Sequence, residues 1–533
     1  MWNNAPRRSS VTCCFLCLYE TARLMRLAVA KSTSGIVQGV VTMRTNQTAI
    51  ILIAAFLCIA FQSKVSATDH PSDDVISYWV KNALQEDSRV DLADVQVDTH
   101  DGIVTLTGST KNIAEKQYAD LESKKIRGVR GVIDKLEVIP DARLDGDISR
   151  DISQRLMFNS TIEYKGPYGP KVLVKDGNVT LTGQVSSREE FKEAEVVAGE
   201  VSGVKSVRNE LVVDFNPERT DPEIEASVRA ALQRDVYLTG LPITVAVNNG
   251  NVTLEGEVGN AYEKERARYD AYLADSVKKV DNLIKVRWWE GQLTRGNTTV
   301  PSDEQLTKSV EDELYQDLRI EPLNVEVEAS QGHVTLRGSV STYTQKELAG
   351  RDARDVVGVA WVSNFLSVGN EKRDDRKIQR DIASAFDSDY SLNGQSIGVD
   401  VNGGMAILSG SVNTNYEKIH ATDVAGGVRG VKDVDNEIDV NSLSKYTDAE
   451  LKARIEERLS SYWETSWVSN RIVVEAKAGK VTLSGEVDTW SERHEAGRIC
   501  GLTEGVKSVD NKLIVAKVDY PWGEGYGSWP FLP

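Results

Sequence analysis

The chain has 533 residues and carries 63 Lys and Arg against 80 Asp and Glu, a net charge of −17. Apolar residues make up 40% of the composition and charged residues 27%, which is typical of a soluble globular protein. An excess of negative charge opposes binding to nucleic acid or anionic lipid through bulk electrostatics. Any contact with such partners must therefore be local.

One segment near the beginning of the chain is strongly apolar, Ala49–Phe61. It is too short to span a bilayer, which takes about 20 residues. Met43 and Arg44 precede it, and Val65-Ser66-Ala67 supplies small residues at a cleavage position, which is the order of a secretory signal peptide. We therefore expect a signal peptide over residues 43–67, with cleavage after Ala67 and export to the periplasm. Residues 1–42 are interpreted as an upstream start-site artefact; an uncleaved anchor and a genuine cytoplasmic extension are the alternatives.

Cleavage after Ala67 would leave 56 basic and 79 acidic residues, a net charge of −23. Four of the five cysteines lie before that site, so Cys500 would stand alone and form no intramolecular disulfide. We interpret Cys500 as a small buried side chain on a helix.

A pattern of a β-hairpin followed by a terminal strand close to V-x-x-V-x-N-x-L-x-V recurs six times. The second hairpin strand ends in a glycine in every copy: Gly108, Gly183, Gly256, Gly338, Gly410 and Gly485. Because the spacing is nearly constant, the chain is predicted to consist of small tandem domains. They are predicted over residues 72–139, 145–214, 221–287, 302–368, 374–440 and 447–516.

Each copy begins with a helix whose apolar residues recur at i, i+4 and i+8, such as Ile76, Val80 and Leu84. Two β-strands follow around a glycine-containing turn, then a polar second helix and the terminal strand. The predicted fold class is α+β, with six α-β-β-α-β domains that each place two helices on one face of a three-stranded sheet. The other sheet face and the sheet edges are left for neighbouring domains or ligands.

An asparagine recurs in the terminal strand of five copies, at Asn209, Asn282, Asn364, Asn436 and Asn511, with Asp134 in the first. The functional interpretation is a ligand contact. We favour the structural one, in which the side chain satisfies backbone groups, because no second polar column accompanies it.

The V-T-L-x-G hairpin strand, the G-V-x-x-V-x-N-x-L-x-V strand and the period of roughly 70 residues resemble the BON domain (bacterial OsmY and nodulation). The resemblance covers residues 72–516. It implies the α-β-β-α-β fold, an envelope location, association with phospholipid membranes and a link to osmotic stress, and it brings no catalytic residues. Ser276, Asp134 and the strand at Met405-Ala406 depart from the pattern, which puts ligand binding by those copies in doubt.

Two aromatic segments lie outside the repeats. Residues 288–301 form the longest linker and begin with Trp288 and Trp289, while the tail over residues 519–533 contains Trp522 and Trp529. Indole rings suit a membrane interface, so these four residues are candidate contacts for lipid or a protein partner. Packing between the third and fourth domains and docking of the tail on the last domain are the alternatives.

The sequence contains no catalytic motif, and its five His residues are scattered. We therefore expect no enzyme activity, cofactor or metal. The leading hypothesis is a periplasmic protein that binds phospholipid surfaces through six weak sites. The alternative is a chaperone or scaffold that holds envelope proteins by strand addition.

Overall fold

A computed structural model describes residues 71–91, 95–163, 166–214, 219–287, 301–317, 320, 324–369, 373–441 and 446–515. All of them belong to one compact unit, Ala67–Pro533. They form six α-β-β-α-β domains, numbered 1 to 6 in chain order, as predicted. The predicted signal peptide and the tryptophans at 288, 289, 522 and 529 lie outside the described residues.

The first helix of every domain buries the predicted apolar stripe. Ile76, Val80 and Leu84 of domain 1 are fully buried. Capping boxes at Ser302 and Thr447 begin the first helices of domains 4 and 6. The first helices are Asp73–Gln85, Asp145–Phe158, Asp221–Arg234, Asp303–Gln316, Asp375–Ser388 and Asp448–Ser461.

Each first helix begins with an aspartate that also fixes the hairpin. The Asp73 carboxylate accepts hydrogen bonds from the backbone N–H groups of Asp101 and Gly102, both at 2.9 Å. A carboxylate at a helix start also interacts favourably with the helix dipole. Asp375 accepts hydrogen bonds from the Gly403 and Gly404 N–H groups in the same way, so these carboxylates fix the turn of the sheet as well as the helix start.

The sheets share one topology, with the second strand in the middle. It pairs antiparallel with the first strand and parallel with the third. The first strands are Gln96–His100, Lys171–Lys175, Ile243–Asn248, Val325–Ser330, Ser396–Asn402 and Ile472–Lys477. The second strands are Ile103–Thr110, Asn178–Val185, Asn251–Val258, His333–Val340, Met405–Val412 and Lys480–Val487.

The third strand is continuous in domains 1, 2 and 4, over Gly131–Val138, Ser206–Val213 and Trp361–Val368. In domains 3, 5 and 6 it is interrupted. The segments there are Lys279–Asn282 and Lys285–Val286, Asp433–Asn436 and Asp439–Val440, and Ser508–Asn511 and Ile514–Val515.

The recurrent glycine of the second strand is explained by a close approach of the first strand. Gly338 has a φ of +117°, and a Cβ atom there would lie 1.8 Å from the carbonyl oxygen of Asn324. Only glycine fits such a site without moving the backbone.

The second helices are Ile113–Lys125, Arg188–Gly199, Ala261–Leu273, Tyr343–Asp355, Asn415–Gly426 and Trp490–Gly501. The recurrent asparagine ties this helix to the third strand. The Asn364 amide donates to the Lys346 carbonyl at 2.7 Å and its oxygen accepts from the Leu366 N–H at 3.2 Å. The structural interpretation of the asparagine column is thus confirmed. Cys500 is buried on the last of these helices, as expected.

The domains contact one another through their helices, and the contacts do not follow chain order. Short antiparallel bridges join the helix ends of domains 1 and 6 (Asp87 with Thr503), 2 and 5 (Val201 with Asp389), and 3 and 4 (Asp235 with Val356). Backbone hydrogen bonds such as Val236 N–H to Asp355 O, at 2.9 Å, accompany them. Each domain of the first half is therefore paired with one of the second half.

A second set of contacts joins the start of one second helix to the end of the next. In the first half, Ile113 of domain 1 lies against Gly199 of domain 2. Arg188 of domain 2 donates to the Val277 carbonyl of domain 3 at 3.0 Å. The Ala261 N–H of domain 3 returns to the Val129 carbonyl of domain 1 at 3.2 Å. The three domains thus close a ring.

Domains 4, 5 and 6 repeat this arrangement. Tyr343 lies against Gly426, the Asn415 amide donates to the Gly501 carbonyl at 3.1 Å, and Arg493 of domain 6 lies over the Trp361 ring of domain 4. The chain thus contains two rings of three domains, and each domain of one ring contacts one domain of the other. This is the connectivity of a hexamer with threefold and twofold pseudosymmetry, formed here within one chain.

The joint between domains 1 and 6 is ionic and buried. The Glu122 carboxylate is fully buried and accepts from Arg89 at 2.8 Å, from both Arg498 nitrogens at 2.8 and 3.0 Å, and from the Tyr462 hydroxyl at 2.9 Å. Burial alone would raise the pKa of Glu122, but Arg498 and Arg89 hold that pKa well below its usual value. The carboxylate is therefore charged, and it links the two domains.

No helix among the described residues has the length and apolar content to cross a membrane.

Candidate binding surface

The outer face of the domain 4 sheet, away from the helices, carries two exposed aromatic rings. Trp361 and Phe365 lie four residues apart in the third strand, so both point to the same side. Their exposed fractions are 47% and 65%. Val362, Leu366 and Val368 alternate with them and pack on the domain core. We call Trp361, Phe365 and Arg337 the aromatic face.

The neighbouring strand supplies the polar part of the aromatic face. In the parallel register, His333 lies beside Trp361 and Arg337 beside Phe365. The Arg337 guanidinium lies 5.8 Å from the centre of the Phe365 ring and forms an ion pair with Glu328 at 3.3 Å. His333 shares a hydrogen bond of 2.8 Å with Ser363, and burial lowers its pKa, so it is neutral at pH 7.

Domain 6 supports one end of this surface. The Arg493 guanidinium lies 5.3 Å from the centre of the Trp361 ring. It donates at 2.8 Å to both the Leu513 and the Asn511 carbonyls, which fixes its position. A cation over an indole face is attracted by the ring electrons, so the contact orients Trp361 at the edge of the joint between domains 4 and 6.

The other five domains do not carry this combination. At the Trp361 position they have Gly131, Ser206, Lys279, Asp433 and Ser508. At the Phe365 position they have Lys135, Glu210, Leu283, Glu437 and Lys512. At the Arg337 position they have Thr107, Thr182, Glu255, Ser409 and Ser484. The fold alone therefore does not require aromatic residues there.

Two large apolar rings beside a guanidinium form a surface with an apolar body and a polar rim. Such a surface suits a boundary between apolar and aqueous phases, or a partner with both characters. Among the described residues no group of three or more His, Cys, Asp or Glu side chains could hold a metal ion.

The sequence had proposed Trp288, Trp289, Trp522 and Trp529 as contacts, and these stay untested because they lie outside the described residues. The sequence interpretation missed Trp361 and Phe365. A signal was present, because both are aromatic at strand positions that are polar, charged or glycine in most of the other copies.

Comparison with known proteins supplies the family. The sequence profile of the BON domain matches residues 72–140, 145–214, 220–287, 302–370, 374–442 and 447–517. The osmotically-inducible protein Y of Escherichia coli is 32% identical over 148 residues, which cover 26% of this chain and 71% of that protein. The outer membrane lipoprotein DolP of Haemophilus influenzae is 28% identical over 139 residues, 25% of this chain and 71% of that protein.

Among solved structures, the C-terminal domain of CdsD, a structural protein of the type III secretion system of Chlamydia trachomatis, is 17% identical. The match covers 44% of this chain and the whole of that domain, with a TM-score of 0.12. A similarity at that level carries no argument about architecture or function.

Proposed function

The chain belongs to the BON domain family, and we propose that it is a non-enzymatic periplasmic protein that associates with phospholipid surfaces of the envelope under osmotic or envelope stress. The names of its relatives support the setting, since one is osmotically inducible and the other is an outer membrane lipoprotein. The aromatic face of domain 4 supports the mode of contact.

The argument for lipid starts from charge. A chain with a net charge of −17 is not attracted to an anionic membrane as a whole. Exposed charges farther apart than about 8 Å are largely screened at physiological salt, so a local group decides the contact. Arg337 supplies a cation for a phosphate group, and Trp361 and Phe365 supply apolar surface for the region below the headgroups.

Burial of the two aromatic rings provides enough free energy for reversible binding. Complete burial of one large apolar side chain contributes roughly 1.5–3 kcal/mol. Two partly exposed rings therefore give weak, reversible attachment instead of insertion. This is consistent with a peripheral protein.

The chaperone hypothesis is the alternative, and strand addition needs a continuous unpaired edge. The first strand lies at one edge of every sheet, but the third strand at the other edge is interrupted in domains 3, 5 and 6. Interruptions of this kind are a common means of preventing edge pairing.

Vesicle flotation tests the proposal. The chain from residue 68 onward is mixed with vesicles of phosphatidylethanolamine and phosphatidylglycerol, and the floating fraction is measured. The double variant Trp361→Asp/Phe365→Glu introduces the residues of domain 5, and we expect at least a tenfold loss of vesicle affinity, since a tenfold change requires only about 1.4 kcal/mol.

The matched control is Ser206→Asp/Leu283→Glu. It adds the same charge at the equivalent positions of domains 2 and 3, so it should change affinity little. Absence of flotation by the unaltered chain, or an equal loss in both double variants, contradicts the proposal.

A further inference from the structure

A cavity of about 760 Å³ lies along the second helix of domain 5. Side chains of domains 1, 2, 4, 5 and 6 line it, so it exists only when the domains are assembled. Its volume falls within the range of roughly 300–1,000 Å³ that is usual for small-molecule sites.

The charge of this lining is opposite to that of the whole chain. The lining holds six Lys and Arg against four Asp and Glu, whereas the chain has 63 against 80. His420 also lines the cavity. Burial disfavours its charged form, but the Asp389 carboxylate at 3.0 Å prevails and raises the pKa of His420 to about 9, so His420 is protonated at pH 7 and paired with that carboxylate.

Several of the lining cations are already matched by carboxylates. Arg155 pairs with Glu200 at 2.8 Å and Arg89 pairs with Glu122 at 2.8 Å. Lys418 and Lys507 differ, because neither ammonium group forms an ion pair among the described residues. Their charge is available to a ligand.

The two lysines belong to adjoining elements. Lys418 lies one turn beyond Asn415, whose amide donates to the Gly501 carbonyl at 3.1 Å. Lys507 follows in the loop after the same helix end. Both line the cavity, and the Lys507 side chain also covers the hairpin turn of domain 6 at Gly479.

Apolar groups complete the lining. Phe158, Leu348, Leu502 and Val428 contribute carbon surface. The Tyr118 and Tyr416 hydroxyls lie 3.3 Å apart, and burial raises the pKa of both, so they are neutral hydrogen-bonding groups. A ligand that matches this lining has an anionic head and a hydrocarbon part.

We propose that this interdomain cavity binds one small amphiphilic anion, a carboxylate or a phosphate ester with a single short hydrocarbon chain, with its head at Lys418 and Lys507. The site is separate from the aromatic face of domain 4. It is a pocket for a single molecule and not a surface for a bilayer.

Isothermal titration of the mature six-domain chain tests the proposal, with dodecanoate and dodecyl phosphate as probes below their micellar concentrations. We expect saturable binding of one molecule per chain, and the two probes distinguish a carboxylate from a phosphate ligand. Acetate, which lacks the chain, and dodecyl maltoside, which lacks the charge, should not bind saturably.

The variant Lys418→Glu/Lys507→Glu should lower affinity at least tenfold, which corresponds to about 1.4 kcal/mol. The control Lys205→Glu/Lys432→Glu makes the same charge change at lysines that cover the hairpin turns of domains 2 and 5 and do not line the cavity. It should retain the original affinity. Val196→Trp adds bulk at an exposed lining position and should also weaken binding.

Three results would overturn the inference: no saturable site for either anion, equal affinity for the maltoside, or the same loss in the control. Circular dichroism confirms that each variant is folded. Phe365→Glu, which leaves the Arg493–Trp361 contact of the domain 4 and 6 joint intact, should leave dodecanoate binding unchanged, so a failure here is distinguishable from a failure of membrane association.

Discussion

The helix side and the sheet side of the same domains differ in what they contact. On the helix side, buried charges such as Glu122 and backbone bridges join one domain to another. On the sheet side of domain 4, Trp361 and Phe365 are exposed. The polar second helices therefore hold the domains together, while the outer sheet face of domain 4 keeps two aromatic rings exposed.

The largest expected effect concerns the helix side. Glu122→Ala removes a carboxylate that pairs with both Arg89 and Arg498, and the two guanidinium groups stay buried with less compensating negative charge. Removing one member of a buried ionic group costs about 3–5 kcal/mol. Urea unfolding followed by circular dichroism should show a loss of that size, and folded protein should still bind vesicles.

The control for this variant is Glu137→Ala on the exposed third strand of domain 1, which should change stability by less than about 0.5 kcal/mol. A loss below about 1 kcal/mol for Glu122→Ala would show that the joint behaves like a surface ion pair. The helix side would then not hold the domains together more strongly than a surface contact does.

A smaller effect should appear in the pH dependence of the joint between domains 2 and 5. The folded-state pKa of His420 is about 9, above the usual value of about 6.5 for an unfolded chain. The stabilisation by the pair with Asp389 is therefore complete below pH 6.5 and is lost as the pH rises through 9. We expect it to amount to between about 1 and 3 kcal/mol.

Thermal unfolding between pH 6 and 9.5 measures this stabilisation as the difference in the free energy of unfolding between the unaltered chain and His420→Gln. The difference should shrink as the pH rises. Two parallel profiles would contradict the assignment. Vesicle binding on the sheet side should be the same for both proteins at pH 7.

The smallest effect concerns the polar part of the aromatic face. A basic residue near an anionic membrane contributes about 1 kcal/mol. Arg337→Gln should therefore lower affinity for vesicles with phosphatidylglycerol by roughly fivefold, with little change for vesicles of phosphatidylcholine alone. Arg208→Gln on the outer face of domain 2 is the control, and an equal decrease in that variant would indicate a general charge effect.

Much of the fold was predictable because it depends on local patterns. The stripe of Ile76, Val80 and Leu84 has helical spacing and is buried, and the capping box at Thr447 marks a helix start. The asparagine column was predicted to be structural, and Asn364 does bond the backbone of its own domain.

The pairing of the domains was not predictable in the same way. Hydrophobic periodicity does not reveal a contact made by Glu122, Arg498 and Tyr462, because these residues are equally usual on an exposed polar helix. Their burial depends on partners that lie more than 300 residues away along the chain.

The aromatic face was predictable only in part. The Trp361 position belongs to the third strand in every copy, and the Phe365 position does so in domains 1, 2 and 4. The strand was therefore predictable, but the fold does not determine which side chains point outward from it. Only the comparison of equivalent positions across the six copies distinguishes them.

Labelling at two matched positions shows whether domain 4 alone meets the membrane. Ser339 of domain 4 and Ser411 of domain 5 are equivalent, half-buried and on the outer sheet faces. In the chain from residue 68 onward the other cysteine, Cys500, is buried and protected from the reagent. Each serine is changed to cysteine in turn and labelled with a dye whose emission shifts to the blue in an apolar environment. We expect a blue shift on addition of phosphatidylglycerol vesicles for the Ser339→Cys label and none for the Ser411→Cys label. Equal shifts at both positions, or a shift at the domain 5 position alone, would contradict this expectation.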